Sequence, residues 1–177
     1  MSKFIIPNPY YFSQYSHKSA YITGFIMADG NLHRKNSRYR VQIRLNKKDI
    51  SVLEFIKNEI VPNHNINFFY KEREIAPIDS AFLLFEHKQI TLDLLKLGIF
   101  PRKTGYEHIP SILPKEYWNS FILGYLDGDG SIKKVKRKDY FSYSITFTSA
   151  SKKILEQIQS HFNIGKIYKY SKENSNV

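Results

Sequence analysis

The chain has 177 residues, 42% of them hydrophobic, enough for one ordinary domain or two small ones with a packed core. Its 27 Lys and Arg against 16 Asp and Glu give a formal net charge of +11 and a pI near 9.6, which favours a polyanionic partner, nucleic acid or an anionic membrane. Zero cysteines excludes disulfides, zinc ribbons and thiol chemistry and fits a reducing, intracellular compartment. No run approaches the ~18–20 apolar residues of a membrane span, and Pro7 and Pro9 follow too few apolar residues for a signal peptide. Richness in Lys, Ile, Asn, Tyr and Phe hints at an AT-rich genome, which leaves bacterial or phage cytoplasm and an organelle equally open.

Tyr10, Tyr11, Phe12 and Tyr15 precede the first apolar helix and are expected to pack on its domain rather than stack on bases. That helix ends in Asp29-Gly30. Arg38–Asn46 then alternates strictly: Arg38, Arg40, Gln42, Arg44 and Asn46 on one side, Tyr39, Val41, Ile43 and Leu45 on the other. This predicts a half-buried strand with one basic and one apolar face. An amphipathic helix follows over Asp49–Val61, with Asp49 as its N-cap. A second hairpin, about Ile66–Arg73 and Ala81–His87, leads to a helix over Ile90–Leu97 that stops at Gly98. The first half therefore reads αββαββα, over residues 1–100.

A linker over residues 101–115 lies in a stretch marked by Gly98, Pro101, Gly105, Pro110 and Pro114, and carries Arg102 and Lys103. The second half, residues 116–177, has a matching helix ending in Asp129-Gly130. Tyr140, Ser142, Ser144, Thr146 and Thr148 then alternate with Phe141, Tyr143, Ile145 and Phe147, the latter expected to face the core. The strand is shifted by two residues relative to its counterpart, and an even shift keeps the same side inward. A helix over Ser151–Phe162, capped by Ser151, and a strand near Ile164–Tyr170 follow before the polar stretch Ser171–Val177. No counterpart of the fourth strand or last helix is read, so the second repeat is expected to be incomplete, to leave Ile164–Tyr170 as an unpaired edge, and to offer its half of a ligand fewer contacts.

The most informative feature is a repeat. Tyr21–Gly30 (YITGFIMADG) and Phe121–Gly130 (FILGYLDGDG) stand 100 positions apart and carry small residues four apart, Gly24 with Ala28 and Gly124 with Gly128. Four residues is about one helical turn, so each small pair lies on one helix face and permits close backbone approach. If the repeats pack together, Asp29 and Asp129 meet side by side at two helix C-termini. A carboxylate is disfavoured there, and two neighbours repel. Bound divalent cations would cancel both penalties.

These residues resemble the LAGLIDADG homing endonucleases of single-chain, two-motif type. The nine-letter motif maps onto Ile22–Gly30 and Ile122–Gly130, with the family's essential acid on Asp29 and Asp129. Its sixth letter is Asp127 in one copy and Met27 in the other, so that position receives no catalytic role. The resemblance implies an α+β fold of pseudo-twofold αββαββα repeats with a saddle of antiparallel sheet on DNA. It implies a monomer if the second repeat is complete, and Mg²⁺-dependent double-strand cleavage in which each acid serves one strand. It adds the main-chain carbonyls of Ala28 and Gly128 as metal ligands. It also implies basic auxiliaries at Lys47 and Lys48, where the first long strand enters its helix, and at Lys88 after the fourth strand. Ser149 and Ala150 stand at the counterpart of the first junction, without a basic residue. Alternatives on the same scaffold are a maturase acting on intron RNA and a non-catalytic DNA-binding regulator, and both retained acids favour cleavage.

DNA binding is also legible from the residues themselves. Asn31–Lys48 holds seven basic residues (Arg34, Lys35, Arg38, Arg40, Arg44, Lys47, Lys48) and no acid, and Ser131–Lys138 holds five (Lys133, Lys134, Lys136, Arg137, Lys138). A two-stranded ribbon fits the major groove of double-stranded DNA, where Arg pairs with guanine and Gln with adenine. Arg40, Gln42 and Arg44 are therefore assigned to base readout. Arg34, Lys35 and Lys133–Lys138 are assigned to phosphates, with Arg38, Arg102 and Lys103 adding to the basic surface. The six histidines show no metal-ligand spacing, and no phosphate-binding glycine loop is present.

Overall fold

The computed structural model describes residues 6–35, 38–74 and 77–169. Two central helices organise it: α1 (His17–Asp29) and α4 (Trp118–Asp129). A capping box between Ser16 and Ser19 starts α1, and a short 3₁₀ turn over Lys115–Tyr117 starts α4. The helices touch through their small residues. A Cβ placed on Gly24 would lie 1.9 Å from the Phe121 carbonyl oxygen, and one on Gly124 would lie 1.9 Å from that of Tyr21. Only hydrogen fits at either crossing point.

Each central helix runs directly into a hairpin. In the first half β1 (Gly30–Lys35) pairs with β2 (Arg38–Asn46), and a short 3₁₀ turn leads to α2 (Ile50–Ile60). Strands β3 (Asn67–Lys71) and β4 (Ile78–Glu86) follow, then α3 (Lys88–Lys96). The antiparallel sheet has the order β1-β2-β4-β3. Val41, Ile43, Leu83 and Phe85 lie on its inner face, covered by Leu53 and Ile56 of α2 and Ile90 and Leu94 of α3, all essentially solvent-free. Burying each such side chain contributes ~1.5–3 kcal/mol. The expected αββαββα order is thus present, and Gly98, in the left-handed region at φ 81°, follows the end of α3.

In the second half β5 (Gly130–Lys136) and β6 (Phe141–Phe147) form a separate two-stranded sheet, followed by α5 (Lys152–Phe162). Several expectations need correction here. Residues 164–169 form no strand, and Tyr170 lies outside the described residues. The counterpart segment in the first half, β3, exists by pairing with β4, and no such partner reaches 164–169 among the described residues. Phe147 packs against the core, but Phe141, Tyr143 and Ile145 remain exposed, because among the described residues no element covers that face as α2 and α3 cover β2.

The expected caps also differ. Asp49 makes no side-chain cap bond; Asn46 does so one turn earlier, accepting from the Lys48 N–H. Ser151 donates instead to the Glu107 carbonyl oxygen at 2.7 Å, tying the linker to the second half. Of the N-terminal aromatics, Phe12 is buried and Tyr11 and Tyr15 pack on the core, while Tyr10 is exposed. No helix among the described residues is long and apolar enough to cross a membrane.

Candidate active site and nucleic-acid interface

The C-terminal ends of α1 and α4 meet. A Cβ on Gly128 would fall 2.4 Å from that of Ala28 and 3.6 Å from the Asp29 nitrogen, so the two Asp-Gly corners are adjacent. The closing glycines are required sterically: a Cβ on Gly30 would lie 2.7 Å from the Ile26 carbonyl oxygen, and one on Gly130 2.6 Å from that of Leu126. Neither helix has a basic residue in its last turn to offset the macrodipole.

The electrostatics follow. Burial, and then the charge of Asp129, push the Asp29 carboxyl up to about 6, with Lys103 partly opposing. Burial also raises Asp129, and Glu107 adds to this while Lys103 opposes it. Asp127, the motif position given no catalytic role, accepts a 2.6 Å hydrogen bond from the Tyr21 hydroxyl across the helix pair. Met27, its counterpart, is a core residue.

Lys103 is the residue whose position was not legible. Assigned from sequence to the basic surface, it is buried, and its Nζ donates to the Ala28 carbonyl oxygen at 2.9 Å. The other lysines lie elsewhere. Lys47 pairs with Asp79 at 3.7 Å and lies over the Phe68 ring, while Lys48 and Lys88 are exposed at strand–helix junctions. Arg102 is exposed in the linker.

The strand register sorts the basic residues. Directly opposed residues of an antiparallel pair share a face. Asn31 opposes Gln42, His33 opposes Arg40, and Arg44 opposes Phe82. The outer face thus carries Arg40, Gln42 and Arg44 with Asn31, His33, Phe82 and Leu84. The last four were missed, since only neighbouring strands reveal them. Arg44 donates through Nε to Ser80 Oγ at 2.9 Å and lies 4.5 Å from the Phe69 ring centre, so its fork is held in place. Arg40 is paired with Glu86 at 2.7 Å, an acid that competes for its guanidinium.

Arg34 opposes Tyr39 on the inner-face side and lies 5.4 Å from its ring centre. The strand assignment places Lys35 and Arg38 opposite each other at the end of β1–β2. In the second hairpin Lys133 opposes Ser144 on one face, while Lys134 and Lys136 oppose Tyr143 and Phe141 on the other. Lys134 sits over Phe141 at 4.0 Å. Arg137 and Lys138 are exposed in the β5–β6 turn.

Comparison with known proteins matches this architecture. A LAGLIDADG-like domain model matches residues 116–176. The second half thus carries a LAGLIDADG-like domain. Solved structures of similar fold include I-SmaMI bound to uncleaved DNA target in the presence of calcium ions, 18% identical with a TM-score of 0.55, covering 89% of this chain and 76% of that one. Another is the homing endonuclease I-WcaI bound to its DNA recognition sequence, 15% identical with a TM-score of 0.57, covering 86% and 70%. No curated protein sequence matches. As in the LAGLIDADG pattern, both motif helices here end in an acid and a glycine at the joint of the two halves.

The carboxylate pair predicts a pH dependence. The folded-state value of Asp29 lies above its unfolded value, so the associated stability is present below about pH 4 and is lost as pH rises through about 6. Because the pair is partly exposed, solvent screening reduces the loss to roughly 1–2 kcal/mol. Urea unfolding in EDTA at stepped pH should show it as a slope in the native protein that Asp29→Asn lacks. Parallel profiles would contradict the raised Asp29 carboxyl.

Proposed function

We propose that the chain is a site-specific DNA endonuclease that makes metal-dependent double-strand breaks by phosphodiester hydrolysis. The observation that carries this reading is the juxtaposition of Asp29 and Asp129 at two abutting helix C-termini, where a carboxylate pair is electrostatically unfavourable without a cation. The structural likeness to DNA-bound homing endonucleases supports it.

The donor set fits a hard divalent ion such as Mg²⁺: two carboxylates and the Ala28 and Gly128 carbonyls, all oxygen. Among the described residues no group of three or more His, Asp or Glu side chains offers a competing cage. When bound, Mg²⁺ supplies water activation and charge stabilisation at the scissile phosphate and the departing oxygen. Asp29 and Asp129 hold their charge at the joint between the halves, each serving one strand. Lys47, Lys48 and Lys88 screen phosphate charge from the first half's strand–helix junctions. Arg40, Gln42 and Arg44 read bases, and Lys133, Arg137 and Lys138 hold phosphates.

The activity is tested by incubating a randomised duplex library with the protein and Mg²⁺, then sequencing cut ends. One long consensus site, cut only with divalent metal, is the expected result. Binding without cutting under any metal would favour a regulator. On the selected site, Arg44→Ala should cost ~1–3 kcal/mol and relax preference at one or two base pairs. Lys133→Ala should weaken all sequences alike and lower the salt slope by about one. Lys134→Ala, on the opposite face, should change little. If Arg44→Ala behaves like Lys133→Ala, β2 is not reading bases.

A further inference from the structure

Lys103 belongs to the linker, yet its ammonium lies at the joint between the motifs. The linker around it is fastened to the second half. Ser151 Oγ donates to the Glu107 carbonyl at 2.7 Å, and the Ile109 N–H donates to Gln157 Oε1 at 2.9 Å. The buried Glu107 carboxylate accepts from the Gly105 N–H at 2.8 Å, closing the turn that presents Lys103. From this second-half anchorage the side chain reaches the first motif and bonds the Ala28 carbonyl at 2.9 Å. That oxygen is one the proposed metal site uses; burial pushes the ammonium's pKa down, and Glu107, then Asp129 and Asp29, oppose that shift.

We propose that Lys103 is a resident counter-cation: in the metal-free protein it occupies the Ala28 carbonyl and offsets the carboxylate pair, and a divalent cation must displace it from that oxygen. The proposal rests on the metal-site reading above. One monovalent charge cannot neutralise two carboxylates, so Lys103 stabilises the metal-free joint without abolishing its affinity for metal. It also couples metal arrival to movement of a side chain held by the other half. A surface lysine recruited for DNA would have no reason to be buried against a main-chain oxygen.

The test uses Lys103→Met, which keeps the apolar stem, and Lys103→Gln, which keeps a donor without the charge. In EDTA both should lower Tm by several degrees, and adding Asp29→Asn should remove most of that loss, because the charge to be offset has gone. Titrating each protein with Ca²⁺ alone and following Tm, Lys103→Met should respond at Ca²⁺ concentrations about tenfold lower than the native chain. A native chain that responds to Ca²⁺ while the variants respond identically or more weakly would overturn the proposal and leave the metal site intact. No Ca²⁺ response in any protein, with no metal-dependent cutting, would overturn both. If Lys103→Met does not fold, the Lys103→Gln and Asp29→Asn cycle decides alone: additive losses would refute the counter-cation role.

Discussion

Asp29→Asn and Asp129→Asn are each expected to reduce double-strand cleavage at least about a thousandfold, roughly 4 kcal/mol of transition-state stabilisation, while leaving DNA affinity within a few fold. The substitution removes one of the oxygen charges assigned to the proposed metal site without touching β2, β5 or β6. Asp29→Asn should be more stable than the native chain in EDTA above about pH 6, since burial and then the Asp129 charge press on that carboxyl. Asp129→Asn should also gain stability, since burial and Glu107 raise its carboxyl. Loss of activity with gain of stability is the signature of a site kept at the expense of the fold. Gel-resolved cleavage and urea unfolding on the same preparations check it. Native-level cleavage would remove the pair from the chemistry, and destabilised variants would show that the carboxylates serve packing.

Gly24→Ala and Gly124→Ala should be the most destabilising single-methyl changes in the chain. Each added Cβ would stand 1.9 Å from a main-chain oxygen of the facing helix, Phe121 in one case and Tyr21 in the other. Backbone cannot rotate aside as a side chain can, so the helices must separate. Overpacking of this kind costs ~3 kcal/mol or more, a large part of the ~5–15 kcal/mol that holds a domain together. Leu123→Ala, one residue from Gly124 but half exposed, serves as the control and should change stability by about 0.5 kcal/mol or less. Separation also pulls the Asp-Gly corners apart, so any folded glycine variant should have lost cleavage too. Urea midpoints near the native value for Gly24→Ala would contradict the helix contact.

Why some of this was legible and some not has physical causes. The alternation of Arg38–Asn46 fixes both strand and face, because period 2 is a local property of the backbone. The Gly24/Ala28 and Gly124/Gly128 spacing predicts the helix pair because contact at one turn's interval needs no knowledge of the rest. Tyr143 and Ile145 alternate just as cleanly, yet stay exposed. Alternation says which residues share a face, not whether another element covers it. Likewise Ile164–Tyr170 has strand character, but a strand needs a ladder partner. Lys103 was out of reach for a different reason: its bond to Ala28 spans 75 positions, and only the linker's path reveals it. A buried lysine and a surface lysine look alike in a sequence.

On the function proposed above, Asp29 and Asp129 together form the metal-dependent cleavage centre. The most direct test is strand-resolved cleavage of the selected duplex, each strand labelled at its own end, with the protein held first in EDTA and then given excess Mg²⁺. No cutting is expected in EDTA, both strands should be cut after Mg²⁺, and the Asp29→Asn, Asp129→Asn double variant should cut neither at any time. Cutting in EDTA, or Mg²⁺-dependent cutting by that double variant, would place the chemistry elsewhere in the molecule.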